Sequence, residues 1–205
     1  MKTRGKLIVF EGQDAVGKSR LSQEIARWLE TLEIPTVQLS FPGKSPRTLG
    51  KLVYELHHSP RRLNVNSITP AALQAMHIAA HLDIIETEII PKIESGIYVI
   101  LDRFWWSTYV YGKVYHVKED ILGKMIDTEL AMLKKISPAA VFLITRTPAF
   151  IGNRNSELNK LATEYLKLAE EEIKKYKVFI INNDGHIDLT INKIQDKLQR
   201  ILKIN

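Results

Sequence analysis

Between a short apolar run and a helix-length amphipathic stretch lies Gly12-Gln-Asp-Ala-Val-Gly17-Lys18-Ser19, a full match to the pattern G-x-x-x-x-G-K-S/T. No other segment limits the possible folds so tightly. The pattern works only where a buried strand feeds a tight loop and the loop feeds a helix, because several backbone N–H groups must converge on one anion. Gly12 and Gly17 let the chain wrap closely around a phosphate, and a helix starting near Lys18 turns its positive end towards it. In that geometry Lys18 bridges phosphate oxygens, the Ser19 hydroxyl is placed to ligate Mg²⁺, and the loop from Asp14 through Ala15 and Val16 to Arg20 completes the cradle. A plain glycine turn has no need of Lys and Ser at these positions.

The rest of the chain supplies the context that such a loop requires. Short β-rich runs at 6–10, 36–40, 98–101, 140–145 and 178–182 are apolar on both faces, as central parallel strands are. Helical periodicity fills 18–31, 47–57, 70–95, 105–115, 118–135, 156–176 and 187–203. Thr69-Pro70 reads as an N-cap with proline in the first turn, Ser95-Gly96 as a stop, and Pro91 as a kink in the long helix between them. The alternation predicts an α/β fold: a three-layer P-loop NTPase architecture with a five-stranded parallel sheet and helices on both faces. Its ligands then bind at the carboxyl ends of the strands. No repeat and no linker divides the 205 residues, so one domain over 1–205 is expected.

Composition removes other classes of protein. The 45% hydrophobic and 25% charged content excludes a disordered or collagen-like chain. With no cysteine there is no disulfide, no thiol nucleophile and no Cys-based zinc or iron–sulfur site. No apolar run approaches the roughly 20 residues that cross a bilayer, and the basic first six residues are followed by only four apolar ones before Glu11. A cytoplasmic protein without a membrane partner is expected. The 29 Lys and Arg against 23 Asp and Glu, a net +6, point weakly to polyanions. Lys44, Arg47, Lys51, Arg61 and Arg62 form a possible basic stripe. Trp105, Trp106, Tyr109, Tyr111 and Tyr115 are either packing residues or a stacking platform for bases, so nucleic acid is a possible partner that no spacing demonstrates.

A second acidic element strengthens the phosphate reading. Ile97 to Leu101 is an apolar strand that ends in Asp102-Arg103, delivering a carboxylate for Mg²⁺ and a guanidinium for phosphate to the edge where the glycine-rich loop sits. Together these residues resemble the thymidylate kinase family. The resemblance rests on Phe10-Glu11-Gly12-Gln13-Asp14 through Ser19, on Phe41-Pro42-Gly43-Lys44, on Asp102-Arg103-Phe104 through Tyr111, and more loosely on the long helix around Ala79 and Ala80. It implies transfer of a γ-phosphoryl group from ATP, with Mg²⁺ on Ser19 and Asp102, to a nucleoside monophosphate, most like dTMP + ATP giving dTDP + ADP. Lys18, Asp102, Arg103 and Arg154 are then catalytic. Asp14, Phe41, Lys44, His81, Arg103 and Tyr111 bind the acceptor, and a homodimer is implied.

The chain departs from the family pattern at several places. His81 or Leu82 falls where the family has a base-reading arginine, Gly112 where it has glutamine, and Ala15 where some members carry a P-loop arginine. The lid, expected near 146–156, holds only Arg146 and Arg154 and is short. His77 and His81 share a helix face as polar wall residues, with no third ligand at metal-binding spacing. Two other functions therefore stand beside the first: a P-loop kinase acting on a nucleoside, modified nucleotide or nucleic acid, and a catalytically weak nucleotide-binding module. Asn192-Lys193-Ile-Gln-Asp196 is one residue too long to be the guanine-reading motif of a GTPase.

Overall fold

In the computed structural model, which describes residues 4–147 and 156–204, the five apolar runs are parallel strands of one sheet. They are β1 (Leu7–Glu11), β2 (Thr36–Ser40), β3 (Tyr98–Asp102), β4 (Ala140–Thr145) and β5 (Val178–Asn182), in the spatial order β2-β3-β1-β4-β5. β1 is central. Its Phe10 pairs with Asp102 on one side and Phe142 on the other, so the loop after Glu11 emerges between the ends of two neighbours. β1, β3 and β4 are buried almost throughout, as both-faced apolar runs predict. β2 and β5 depart from that expectation because they are the sheet edges: β2 is half-buried along its length, and Ile180 of β5 is 52% exposed.

Strand periodicity of two divides the core. Leu7, Val9, Val99, Leu101, Val141 and Leu143 face one side, where they pack with Ile78, Trp106, Ile126 and Tyr165. Ile8, Phe10, Ile100, Phe142 and Ile144 face the other and meet Leu21, Ile25, Ile194 and Leu198. The first side is therefore covered by α3 (Pro70–Ile84), α5 (Trp105–Val114), α6 (Glu119–Leu133) and α7 (Ser156–Glu172). α1 (Lys18–Thr31) and α8 (Ile187–Leu202) cover the second. α2 (Leu49–His58) packs on α3 and is followed by a 3₁₀ turn, Pro60–Leu63, that the hydropathy pattern does not announce.

Local chemistry sets the helix ends. α2 starts later than its periodicity suggests because Arg47 is left-handed at φ 63° and the Thr48 hydroxyl caps the Lys51 N–H at 3.2 Å. The long helix is not a single α-helix kinked at Pro91. A π turn, Ile85–Ile89, joins α3 to α4 (Ile90–Glu94), with the Ile90 N–H donating to the Ile85 carbonyl. Pro91 has no N–H to continue the ordinary ladder, and the wider turn just before it re-pairs the carbonyls. No helix among the described residues is long and apolar enough to cross a membrane.

Candidate active site

The glycine-rich loop is closed around its own backbone. Gly12 has φ 133°, and a Cβ there would sit 2.3 Å from the Ile144 carbonyl oxygen, so only glycine fits beneath β4. Gly17, at φ 98°, would put a Cβ 2.6 Å from the Asn183 side-chain nitrogen. That amide donates to the Val16 carbonyl at 2.8 Å, bracing the loop from the turn after β5. Lys18 is only 5% exposed and donates to the Gln13 carbonyl at 2.6 Å. Burial, reinforced by Arg103, pulls its pKa down to about 8 against the pull of Asp102, Asp14 and Glu11. An anion in this loop would relieve the desolvated cation.

Asp102 ends β3 beside the loop, where the Ser19 hydroxyl donates to its Oδ2. Its Oδ1 is buried without a hydrogen-bond partner among the described residues. A buried, half-satisfied carboxylate next to a serine hydroxyl is an all-oxygen donor set of the kind that Mg²⁺ prefers, so the residues present fit that ion.

From Asp102 the chain turns sharply. Arg103 lies in the left-handed region at φ 75°, its N–H bonded to the Phe10 carbonyl at 2.9 Å. This aims the guanidinium at Ser107, 3.1 Å away, and at Asp14, with which it forms an ion pair. The Tyr111 hydroxyl donates to the other Asp14 oxygen at 2.8 Å. Desolvation works to raise the Asp14 pKa, but Arg103, Lys18 and the Tyr111 hydroxyl outweigh it and hold the carboxyl below its ordinary range. Behind this row sits Glu11, fully buried. Its Oε1 accepts the Phe104 and Ser107 N–H groups at 2.7 and 2.9 Å, and its Oε2 accepts the Ser107 hydroxyl at 2.8 Å. Glu11 thereby caps the start of α5, for which Phe104 offers no side-chain cap. Burial pushes its carboxyl above the ordinary range, opposed by Arg103 and these hydrogen bonds.

One cavity of about 390 Å³ opens in front of these groups. Lys18, Ser19, Asp102 and Arg103 line its charged end, and Phe41, Tyr54, His57, His77 and His81 its far end. His81 stacks on Phe41 at 4.0 Å between centroids and shares a 2.9 Å hydrogen bond with buried Glu129 of α6. His57 Nδ1 and His77 Nε2 lie 3.0 Å apart. Burial, aided by His81 and His57, drives the His77 pKa down to about 3, so the ring is neutral.

The sequence-predicted residues are thus brought to one place, with differences. Asp14, Ala15, Gly17, Lys18, Ser19, Arg20, Phe41, Lys44, His81, Asp102, Arg103 and Tyr111 all line the cavity. Gly12 and Val16 lie buried beneath the loop. Lys44 is exposed, with its ammonium 5.0 Å from the Tyr54 ring centroid. Trp105 and Trp106 are buried in the core and offer no stacking platform, whereas Tyr111 reaches the site. Arg154 lies outside the described residues. Glu11, Ser107, Glu129 and Asn183 escape sequence reasoning. Glu11 has a signal, an acid ending an otherwise wholly apolar strand, and Ser107 lies within the Asp102–Tyr111 segment that carries the resemblance, but neither pattern names its partner; Glu129 and Asn183 act across long separations that no local pattern encodes.

A parallel sheet whose central strand runs into a phosphate-type loop, with a strand-end Asp and a second cation facing the same cavity, defines a P-loop nucleotide-binding protein of the α/β class. The chain is similar over 134 residues to thymidylate kinase from Marinomonas sp., at 34% identity, covering 65% of this chain and 56% of that one. It is 35% identical over 168 residues to thymidylate kinase from Chlorobaculum parvum, covering 80% and 70%. The crystal structure of thymidylate kinase from Ehrlichia chaffeensis has the same fold, with TM-score 0.76 at 18% identity over 96% of this chain and 100% of that one. The thymidylate kinase family model matches residues 10–194, and the chain belongs to that family. It spans about half the length of several curated relatives that it matches.

Proposed function

We propose that the protein transfers the γ-phosphoryl group of ATP to the 5′-phosphate of dTMP. The observation that carries this reading is the convergence of Lys18, the Ser19–Asp102 pair and Arg103 on the charged end of one cavity. Such transfer is largely positioning and charge neutralisation. Lys18 would leave the Gln13 carbonyl for the β- and γ-phosphate oxygens, to which the loop amides also donate. Ser19 and Asp102 would hold Mg²⁺, which when bound offsets the charge on the triphosphate. An acceptor-phosphate oxygen forms the new bond to the γ-phosphorus as the bond to the ADP oxygen breaks. Arg103 and Lys44 would align that acceptor phosphate. Asp14 and Tyr111 would hold its sugar, with Phe41 and His81 beside the base. Arg154 is assigned the charge-stabilising role of the lid arginine from its position in the chain. The same reading makes the protein cytoplasmic and homodimeric.

ATP consumption against nucleoside monophosphates, nucleosides and oligonucleotides tests the proposal, with Lys18→Ala as control. The expected result is acceptor-dependent ADP production, highest with dTMP and abolished in the variant. Turnover restricted to a nucleoside or oligonucleotide contradicts it, and so does no acceptor-dependent turnover at all.

A further inference from the structure

Tyr165 of α7 is buried, and its ring packs in the core on the first side of the sheet. A buried phenol hydroxyl costs free energy unless it is hydrogen-bonded, and this one meets the Ser107 hydroxyl of α5 at 2.8 Å. Burial raises the Tyr165 pKa well above its ordinary value, so the group is a neutral hydroxyl. A serine hydroxyl has one hydrogen and two lone pairs, and at Ser107 all three are used. Arg103 Nη1, which can only donate, fills one lone pair at 3.1 Å. Glu11 Oε2 takes the hydrogen at 2.8 Å and Tyr165 fills the other lone pair, and the count is the same if those two exchange roles. Further along, α7 is fastened to α5 by Lys113 and Glu164 at 2.9 Å and by the Tyr115 hydroxyl on Glu157, so its placement does not rest on the Tyr165 hydroxyl.

The Arg103 guanidinium thus has two tethers of opposite kind. Asp14, at Nη2, has a side chain 66% exposed and faces the cavity, where the acceptor sugar would share it. Ser107, at Nη1, is only 8% exposed and is bound to the protein interior. We propose that Tyr165 is a positioning residue: through Ser107 it holds Arg103 towards the acceptor phosphate, although Tyr165 does not itself line the cavity. This rests on the nucleotide-acceptor reading above. Without the Tyr165 hydroxyl, Ser107 has an unfilled site and can turn to a carbonyl of the preceding turn, the ordinary bond of a helical serine, which withdraws the buried tether.

Tyr165→Phe keeps the ring and removes one oxygen, so the core stays filled. In this variant kcat/KM for dTMP should fall about fivefold while the KM for ATP stays unchanged. In a Ser107→Ala background, where the relay is already cut, the same substitution should change nothing further. An unchanged kcat/KM, equal losses on the donor and acceptor sides, or a loss of the same size in both backgrounds overturns the inference. Arginine-selective ¹⁵N spectra of the nucleotide-free full chain, with Arg103 assigned by its loss in Arg103→Lys, need no turnover. Separate Nη1 and Nη2 signals, the mark of a guanidinium held on both sides, should be resolved in the wild type and merge in Tyr165→Phe. Arg103 signals that are the same in both chains overturn the inference, whichever substrate the protein uses. If the wild type phosphorylates no monophosphate, the kinase proposal fails, and these spectra still decide the relay.

Discussion

Arg103 shows how one residue's backbone can serve its side chain. The left-handed conformation at φ 75° costs on the order of 1 kcal/mol in a residue with a Cβ, and here it turns the guanidinium from the end of β3 onto Asp14 and Ser107. Arg103→Lys keeps the charge but loses the planar fork that reaches both partners. Steady-state kinetics should show kcat/KM for the acceptor reduced by about tenfold or more, with the KM for ATP little changed. An equal rise in both KM values would contradict a role confined to the acceptor. His77 supports a prediction about pH. Its folded-state pKa, about 3, lies below the ordinary 6.5, so between those values the unfolded chain binds the proton and the native state does not. Stability should be full above pH 6.5 and decline as the pH falls. Urea unfolding of His77→Gln should show a shallower decline in that window, by up to about 1.4 kcal/mol per pH unit. Lys18 and Ser19 are legible in the sequence because their spacing is local. The contact that Ser107 makes is not, since Glu11, the acid it serves, lies 96 positions away.

At the scale of elements, two small connections hold the phosphate loop in shape. The turn after β5 joins three parts of the site. The Asn183 N–H donates to the Thr145 carbonyl at 2.9 Å, its side chain donates to Val16, and Asp184 accepts from the Thr147 N–H at 2.6 Å. The loop between β1 and α1 and the segment after β4 are therefore fastened to the same turn. Asn183→Ala should raise the KM for ATP several-fold and lower kcat less, because the loop loses its brace while Asp102 and Arg103 stay in place. A change only in the acceptor KM would contradict this. The second connection is the Glu11 cap on α5. Glu11→Ala removes the acceptor of the Phe104 and Ser107 N–H groups and leaves both donors buried without it, and urea denaturation should show a loss of about 1–3 kcal/mol. The strands and helices of the sequence reading recur with ends shifted by a few residues, because caps and left-handed residues such as Arg47 decide where a helix begins. The π turn before Pro91 is not legible, since proline announces a break in the ladder without saying how the freed carbonyls re-pair.

Across the whole molecule, function follows from the position of β1. Placed at the centre of the order β2-β3-β1-β4-β5, it sends its loop out beside the end of β3, so two motifs about 90 residues apart converge. The sequence contains both motifs and a fold class that requires them to meet; the strand order depends on non-local pairing that hydropathy does not encode. The far end of the cavity was the least legible part. Four histidines gather there from α2 and α3: His57 and His58 are adjacent, His77 and His81 are one helical turn apart, and the meeting of the two pairs is non-local. Under the proposed function, Lys18, Lys44, Arg103 and Arg154 would account for part of the net charge of +6 as phosphate ligands. Under the proposed function, the phosphoryl group passes directly from one nucleotide to the other. The most direct measurement of that transfer is ³¹P NMR of the full chain with ATP, Mg²⁺ and dTMP, following every phosphorus resonance to the end of the reaction. ADP and dTDP should form in equal amounts with no inorganic phosphate, and neither should form with Lys18→Ala. ADP with an equal amount of inorganic phosphate and untouched dTMP would contradict it.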